Sequence, residues 1–104
     1  NVTGGMSVDD PAIDLAVVAA ILSSNEDIPV GKDFCFAGEV GLGGEIRAVN
    51  RIENRIAEAE KLGFKRIMVS KYAIKGLDVD KYKIRVIAVS KLEEMYQRLV
   101  GNSN

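Results

Sequence analysis

The sequence predicts an α+β domain in which helices pack on a mixed β-sheet. Short β-prone runs at residues 34–40, 66–70 and 83–89 are interleaved with stretches whose apolar residues recur at helical spacing. The elements read in the order β-α-β-β-α-β-β-α, and glycines punctuate their junctions.

Taken from the N-terminus, Asn1-Val2-Thr3 is a strand end and Gly4-Gly5 a turn. Asp9 or Asp10 can accept from the first unpaired amides of a helix, and Pro11 stands where a missing N–H costs nothing. From Ala12 to Ser24 the helix is apolar on nearly every side, with Asp14 its only charge, which predicts a central, buried helix. Asn25 to Asp33 holds Pro29 and Gly31 and is a loop.

FCFAGEV, residues 34–40, is β-prone, breaks at Gly41-Leu42-Gly43-Gly44 and resumes at Glu45-Ile46-Arg47, the pattern of a hairpin whose glycines supply positive φ. Ile52, Ile56, Ala59 and Leu62 mark an amphipathic helix from Arg51 to Leu62, ended by Gly63. Arg66 to Ser70 is a strand and Lys71 to Lys81 a polar connection. In the strand from Lys83 to Val89, alternation puts Ile84, Val86 and Ala88 on one face, with Ile87 and Val89 partly covering the other. Ser90 is positioned to cap a last helix through Leu99, followed by a tail, Gly101 to Asn104.

The 104 residues are 47% apolar and 28% charged, the balance of one soluble globular domain. The longest apolar run, Leu15 to Leu22, is far short of the ~20 residues that span a bilayer, so no membrane partner is expected. The single cysteine, Cys35, forms no internal disulfide and fits a reducing cytoplasm. The sequence has no histidine, which removes Ser-His-Asp and Cys-His catalysis and the commonest zinc ligand. No loop has the spacing of a carboxylate-bound metal site. Net charge is −1, but residues 1–45 carry eight acids and one base while residues 46–104 carry thirteen bases and seven acids. The second half can therefore own a basic surface.

Each candidate motif competes with a plainer explanation. Gly38, Gly41, Gly43 and Gly44 fit neither phosphate-binding glycine spacing and lead from strand to strand, as a hairpin does. A serine activated by a desolvated lysine needs no histidine, yet adjacent Ser70 and Lys71 would point to opposite faces of a strand. Cys35 lies between two phenylalanines without a basic neighbour and reads as buried filler. Asp9 and Asp10 are explained by capping, whereas Asp14 in an apolar helix needs a hydrogen-bonding partner and is expected to be structural. Arg51 and Arg55 are one helical turn apart, with Arg47 before them and Lys65, Arg66, Lys71 and Lys75 after. They form either a solvated face relieved by Glu58 or a phosphate-contacting strip.

The stretch FAGEVGLGGEIRAVNRIENRIAEAEKLGFKRIMVSK, residues 36–71, resembles the C-terminal domain of the RadA/Sms family of bacterial DNA-repair proteins. NVTGGMSVDDPAIDLAVVAAILSS, residues 1–24, is similar to the same family. That domain is related to the proteolytic domain of Lon proteases, so the resemblance implies a ribosomal protein S5 domain 2-like fold over residues 1–104. Lon proteases carry D-G-P-S-A-G, which aligns on its proline with Asp9-Asp10-Pro11-Ala12-Ile13-Asp14 and puts Ala12 at the nucleophile position. Aligned on Gly38-Glu39, the partner lysine falls on Arg55, and the threonine that often precedes Gly-Glu falls on Ala37. Arginine keeps its proton near neutrality and is no general base. Both members of the dyad are replaced, so the resemblance implies a protease-like scaffold without protease activity.

The family further implies a longer protein: a zinc finger, a RecA-like ATPase and this domain, assembled as a homohexameric ring that processes branched DNA by ATP-driven branch migration or unwinding. ATP with magnesium and zinc would serve that whole protein as cofactors, and none is expected in these residues. The zinc-finger cysteines, the P-loop and the strands that precede N-V-x-G-G in the family are not among them. The expected role is ring assembly and DNA contact, with Arg47, Arg51, Arg55 and Lys71 as the phosphate-contacting candidates. The alternatives are an assembly module that never touches DNA, and an active Ser/Lys peptidase with a displaced serine.

Overall fold

The computed structural model describes Val2–Thr3, Met6–Ser7 and residues 10–101. β1 (Val2–Thr3) and β2 (Met6–Ser7) pair antiparallel, Val2 opposite Ser7. The predicted Gly4-Gly5 turn, Asp9 and the tail beyond Gly101 lie outside the described residues. Next come α1 (Asp14–Glu26), β3 (Phe34–Ala37), β4 (Glu39–Val40) and β5 (Ile46–Arg47). They are followed by α2 (Ile52–Lys61), β6 (Arg66–Ser70), β7 (Arg85–Val89) and α3 (Leu92–Gly101). The domain is α+β, as the sequence predicts. Among the described residues, no helix is long and apolar enough to cross a membrane.

The sheet differs from the mixed one expected. Its three strands run in the order β3-β6-β7 and are parallel throughout, with Phe34 opposite Arg66 and Arg66 opposite Arg85. Among the described residues, antiparallel pairing occurs in two short ribbons, β1–β2 and β4–β5, and in an isolated bridge between Glu45 and Lys91. A parallel sheet has both faces covered, and its central strand then reads as a continuous apolar run. In β6, Ile67, Met68, Val69 and Ser70 are all buried. Met68 joins Leu15, Ala19, Ile87, Val89, Met95 and Leu99 in a cluster under α1 and α3. Ile67 and Val69 join Ala37, Ile52, Ile56, Ala59 and Ile84 in a second cluster under α2. Both faces of β7 are therefore covered, and Ile87 and Val89, expected to be only partly so, are 2% and 0% exposed.

Three other expectations change. The Asp-Pro stretch forms a single 3-10 turn, Pro11–Ile13, before α1 begins, and Asp10 Oδ1 accepts from the Ala12 N–H at 3.0 Å. α1 is not buried all round: Leu15 and Ala19 face the core, while Val17 and Ile21 are 48% and 51% exposed. Periodicity could not reveal this, because a helix apolar on every side carries no mark of which side is covered. At the start of α3, Ser90 does not cap as an acceptor. Glu94 reaches back instead, and its Oε1 accepts from the Ser90 N–H at 2.8 Å and from Ser90 Oγ at 3.0 Å.

One glycine fixes the geometry of the site. Gly38, between β3 and β4, donates its N–H to the Ala12 carbonyl and accepts from the Leu15 N–H, each at 3.1 Å. A Cβ on it would lie 3.2 Å from Leu15 Cδ2 and 3.3 Å from Ile46 Cγ2. A side chain here would press on Leu15 and Ile46, which would have to give by a few tenths of an ångström, so glycine suits the close approach of the Ala12 turn to the sheet.

Candidate functional site

The Pro11–Ile13 turn, β3 and α2 enclose an open groove of about 690 Å³. Its walls are Ala12, Ile13 and Ala16 on one side, Cys35 and Ala37 along the strand, and Ala59, Leu62 and Phe64 opposite. Arg51, Arg55 and Glu58 form its polar rim. The groove follows β3, which pairs with β6 and is the outer strand of its sheet among the described residues. On the other face of that strand the Phe34 and Phe36 rings stack at 4.9 Å, and the Arg66 guanidinium lies 4.5 Å over Phe34.

The two positions that the Lon comparison singles out line this one groove. Ala12 contributes a methyl group and is 3% exposed. The Arg55 guanidinium is engaged on three sides: Nη1 is 3.5 Å from Asp10 Oδ2, Nε donates to the Asn50 carbonyl at 2.9 Å, and Nη2 donates to Asn50 Oδ1 at 3.2 Å. Asp10 thus spends one carboxylate oxygen on the Ala12 turn and offers the other to α2. These residues offer cation and acceptors but no nucleophile beside a base. Cys35, half-buried in the groove wall, has its thiol pushed up to about 11 by burial, which keeps it protonated and unreactive near neutrality.

Asp14 Oδ2 accepts from the Val40 N–H at 3.1 Å and ties α1 to the β4–β5 hairpin. The other cationic candidates separate. Arg47 lies against Glu45 in the hairpin, with Nη2 and Nε at 2.6 and 3.0 Å from Glu45 Oε2. Glu45 is held below the ordinary carboxylate range, first by its own backbone N–H and then by Arg47, and the Arg47 guanidinium is correspondingly raised by Glu45. Lys71 is exposed, with Nζ 5.5 Å from the Tyr72 ring centroid. Arg51 precedes α2 with φ 56° and is exposed. It lines both the β3 groove and a second cleft of about 390 Å³, shared with Asn54, Lys75 and Gly76.

The predicted strip is therefore resolved into parts. The structure brings Arg51 and Arg55 to one rim, and Arg51 together with Lys75, which in the sequence is only one member of a run of cations. Arg47 is held within its own hairpin. The signal for that was present, since Glu45 and Arg47 are two apart in a strand and share a face. Asp10 and Arg55 are 45 residues apart, and no local pattern announces their pairing. Among the described residues there is no group of three or more His, Cys, Asp or Glu side chains that could hold a metal ion.

Comparison with known proteins adds two findings. A family model for ChlI, described as subunit ChlI of Mg-chelatase, matches residues 4–73. The chain is 51% identical over 96 residues to the DNA repair protein RadA of Streptococcus pneumoniae, covering 92% of this chain and 23% of that protein. It is 47% identical over 101 residues to the DNA repair protein RadA of Bacillus subtilis, covering 97% of this chain and 22% of that protein. Against the DNA repair protein RadA of Listeria monocytogenes it is 44% identical over 95 residues, covering 91% and 21%. The chain spans less than a quarter of the length of these curated relatives. With about two thirds of its length inside the match, the chain belongs to the family described by the ChlI model, and it corresponds to one region of the DNA repair proteins named RadA.

Proposed function

We propose that this chain is a catalytically inactive, Lon-like scaffold domain with the ribosomal protein S5 domain 2-like fold, serving a DNA repair protein as an assembly and DNA-contact module. The observation that carries this reading is the 44–51% identity, over 88–97% of the chain, to proteins named for DNA repair. The family model's description names a Mg-chelatase subunit instead. The repair reading takes precedence because the relatives match nearly the whole chain, whereas the family model stops at residue 73.

Three features support it. An alanine at the nucleophile position and an arginine bound by Asp10 and Asn50 at the partner position are poor material for peptide hydrolysis. Arg51 and Lys71 are exposed, and neither forms an ion pair among the described residues, so both have charge to offer a phosphate. The outer strand β3, with an apolar groove beside it, suits a domain whose sheet is completed by further strands of a longer polypeptide. In that polypeptide the ATPase, the zinc finger and the homohexameric ring would lie outside these residues, and ATP with magnesium and zinc would be bound there.

A salt titration of DNA binding tests the contact. Each neutralised phosphate steepens the fall of affinity with log salt by roughly 0.7–0.9. Arg51→Glu with Lys71→Glu is expected to weaken binding and flatten that slope by about 2. Binding that is absent, or independent of salt, would refute the DNA contact and leave pure assembly as the role.

A further inference from the structure

Building on the DNA-contact reading, we propose that the connection between β6 and β7 carries a base-stacking site for single-stranded DNA. The Tyr72 ring takes an unpaired base, and Arg51 and Lys75 hold the neighbouring phosphates.

Tyr72 is 55% exposed, a large aromatic surface left to solvent. Its backbone is anchored: its N–H donates to Ser70 Oγ at 3.1 Å, and that hydroxyl, fully buried, donates to the Ile46 carbonyl at 3.0 Å. The next residue, Ala73, donates its N–H to the Ser70 carbonyl at 3.0 Å. The ring therefore projects from a fixed turn, so stacking does not have to order the loop first. Lys71 Nζ lies 5.5 Å from the ring centroid and brings a cation to the same spot.

Ala73 also lines the cleft of about 390 Å³ in which Arg51 and Lys75 meet. Neither forms an ion pair among the described residues, in contrast to Arg47, Arg55 and Arg66. Glu53, the one acid in the lining, has its carboxylate 3.9 Å from Lys81 Nζ. The cleft is lined from Ala73, the residue after Tyr72, and a cationic groove paired with an exposed ring is how a single strand is gripped without sequence readout. In a duplex every base is already stacked on its neighbours, so the ring selects for unpaired strands.

The test is fluorescence anisotropy of the chain with a labelled oligo(dT) and with a duplex of equal length, over a range of salt. Tyr72→Ala should weaken oligo(dT) binding roughly ten-fold while leaving the salt slope unchanged, and Tyr72→Phe should bind as the wild type does. Arg51→Glu with Lys75→Glu should weaken binding and flatten the slope. If Tyr72→Ala binds normally while the charge variant fails, DNA contact stands and the stacking site falls. Losses in both Tyr72→Ala and Tyr72→Phe, or equal losses on duplex, also overturn it. A wild-type chain that binds neither DNA removes this proposal together with the reading beneath it.

Discussion

Asp10 holds Arg55 across the mouth of the β3 groove: Oδ2 is 3.5 Å from the Arg55 Nη1, while Oδ1 takes the Ala12 N–H at 3.0 Å. One carboxylate thus joins the turn before α1 to the second turn of α2. The cap contributes about 1 kcal/mol, and the part-exposed ion pair adds less than that. Asp10→Ala should therefore lower stability by about 1–2 kcal/mol, a fall in Tm of roughly 4–16 °C for a domain this size. Asp10→Asn keeps an acceptor for the cap and should lose less than half as much. Thermal melts of the two variants separate cap from ion pair, and equal losses would mean that the pair dominates.

Ser70 should be the costliest polar residue to remove. Its hydroxyl donates to the Ile46 carbonyl and accepts from the Tyr72 N–H, so it bonds β6 both to the hairpin and to the turn that follows. Ser70 is fully buried, and alanine would leave both groups without this partner. A cost of about 1–3 kcal/mol is expected, read as a lower urea midpoint with an unchanged m-value.

These contacts mark how far the sequence could be read. Arg66 to Ser70 was legible as a strand because its residues are short-range β formers bounded by a glycine turn and a polar loop, and α2 was legible from Ile52, Ile56 and Ala59. Strand direction was not, because parallel order is set by crossovers that bring Phe34 opposite Arg66, 32 positions away. The exposed flank of α1 was hidden for a different reason: Val17 and Ile21 are as apolar as Leu15 and Ala19, and only tertiary contact distinguishes them. At the site, the resemblance singles out Ala12 and Arg55, while their shared groove and the part played by Asp10 required the fold.

Cys35 reports on the groove. Burial raises its thiol to about 11, so alkylation by iodoacetamide should be slow at pH 8 and accelerate only as the pH approaches 11. The linkage has the same sign: the unfolded thiol ionises near the ordinary 9.0 while the folded one holds its proton. Stability should therefore decline from about pH 9 towards 11 and be insensitive to this group below pH 8. In a longer polypeptide whose added strands complete the sheet at β3, Cys35 and the β3 amides should be further protected. Equal alkylation and equal hydrogen exchange in both forms would count against sheet completion at this edge.

Placing a serine at position 12 should not create a peptidase. Ala12→Ser would put a hydroxyl in the groove that Arg55 also lines, but a guanidinium is no general base and cannot take a proton from serine. The Arg55 guanidinium is also spent on Asp10 and on both acceptors of Asn50. A fluorophosphonate probe should leave Ala12→Ser unlabelled. Adding Arg55→Lys supplies a base of the right kind, but Asp10 stabilises its ammonium form and works against the lowered pKa that activation needs. The double variant should also stay unlabelled at neutral pH, and Asp10→Asn on that background should be the first combination to react. Stoichiometric labelling of the wild-type chain at any serine would overturn the inactive assignment outright.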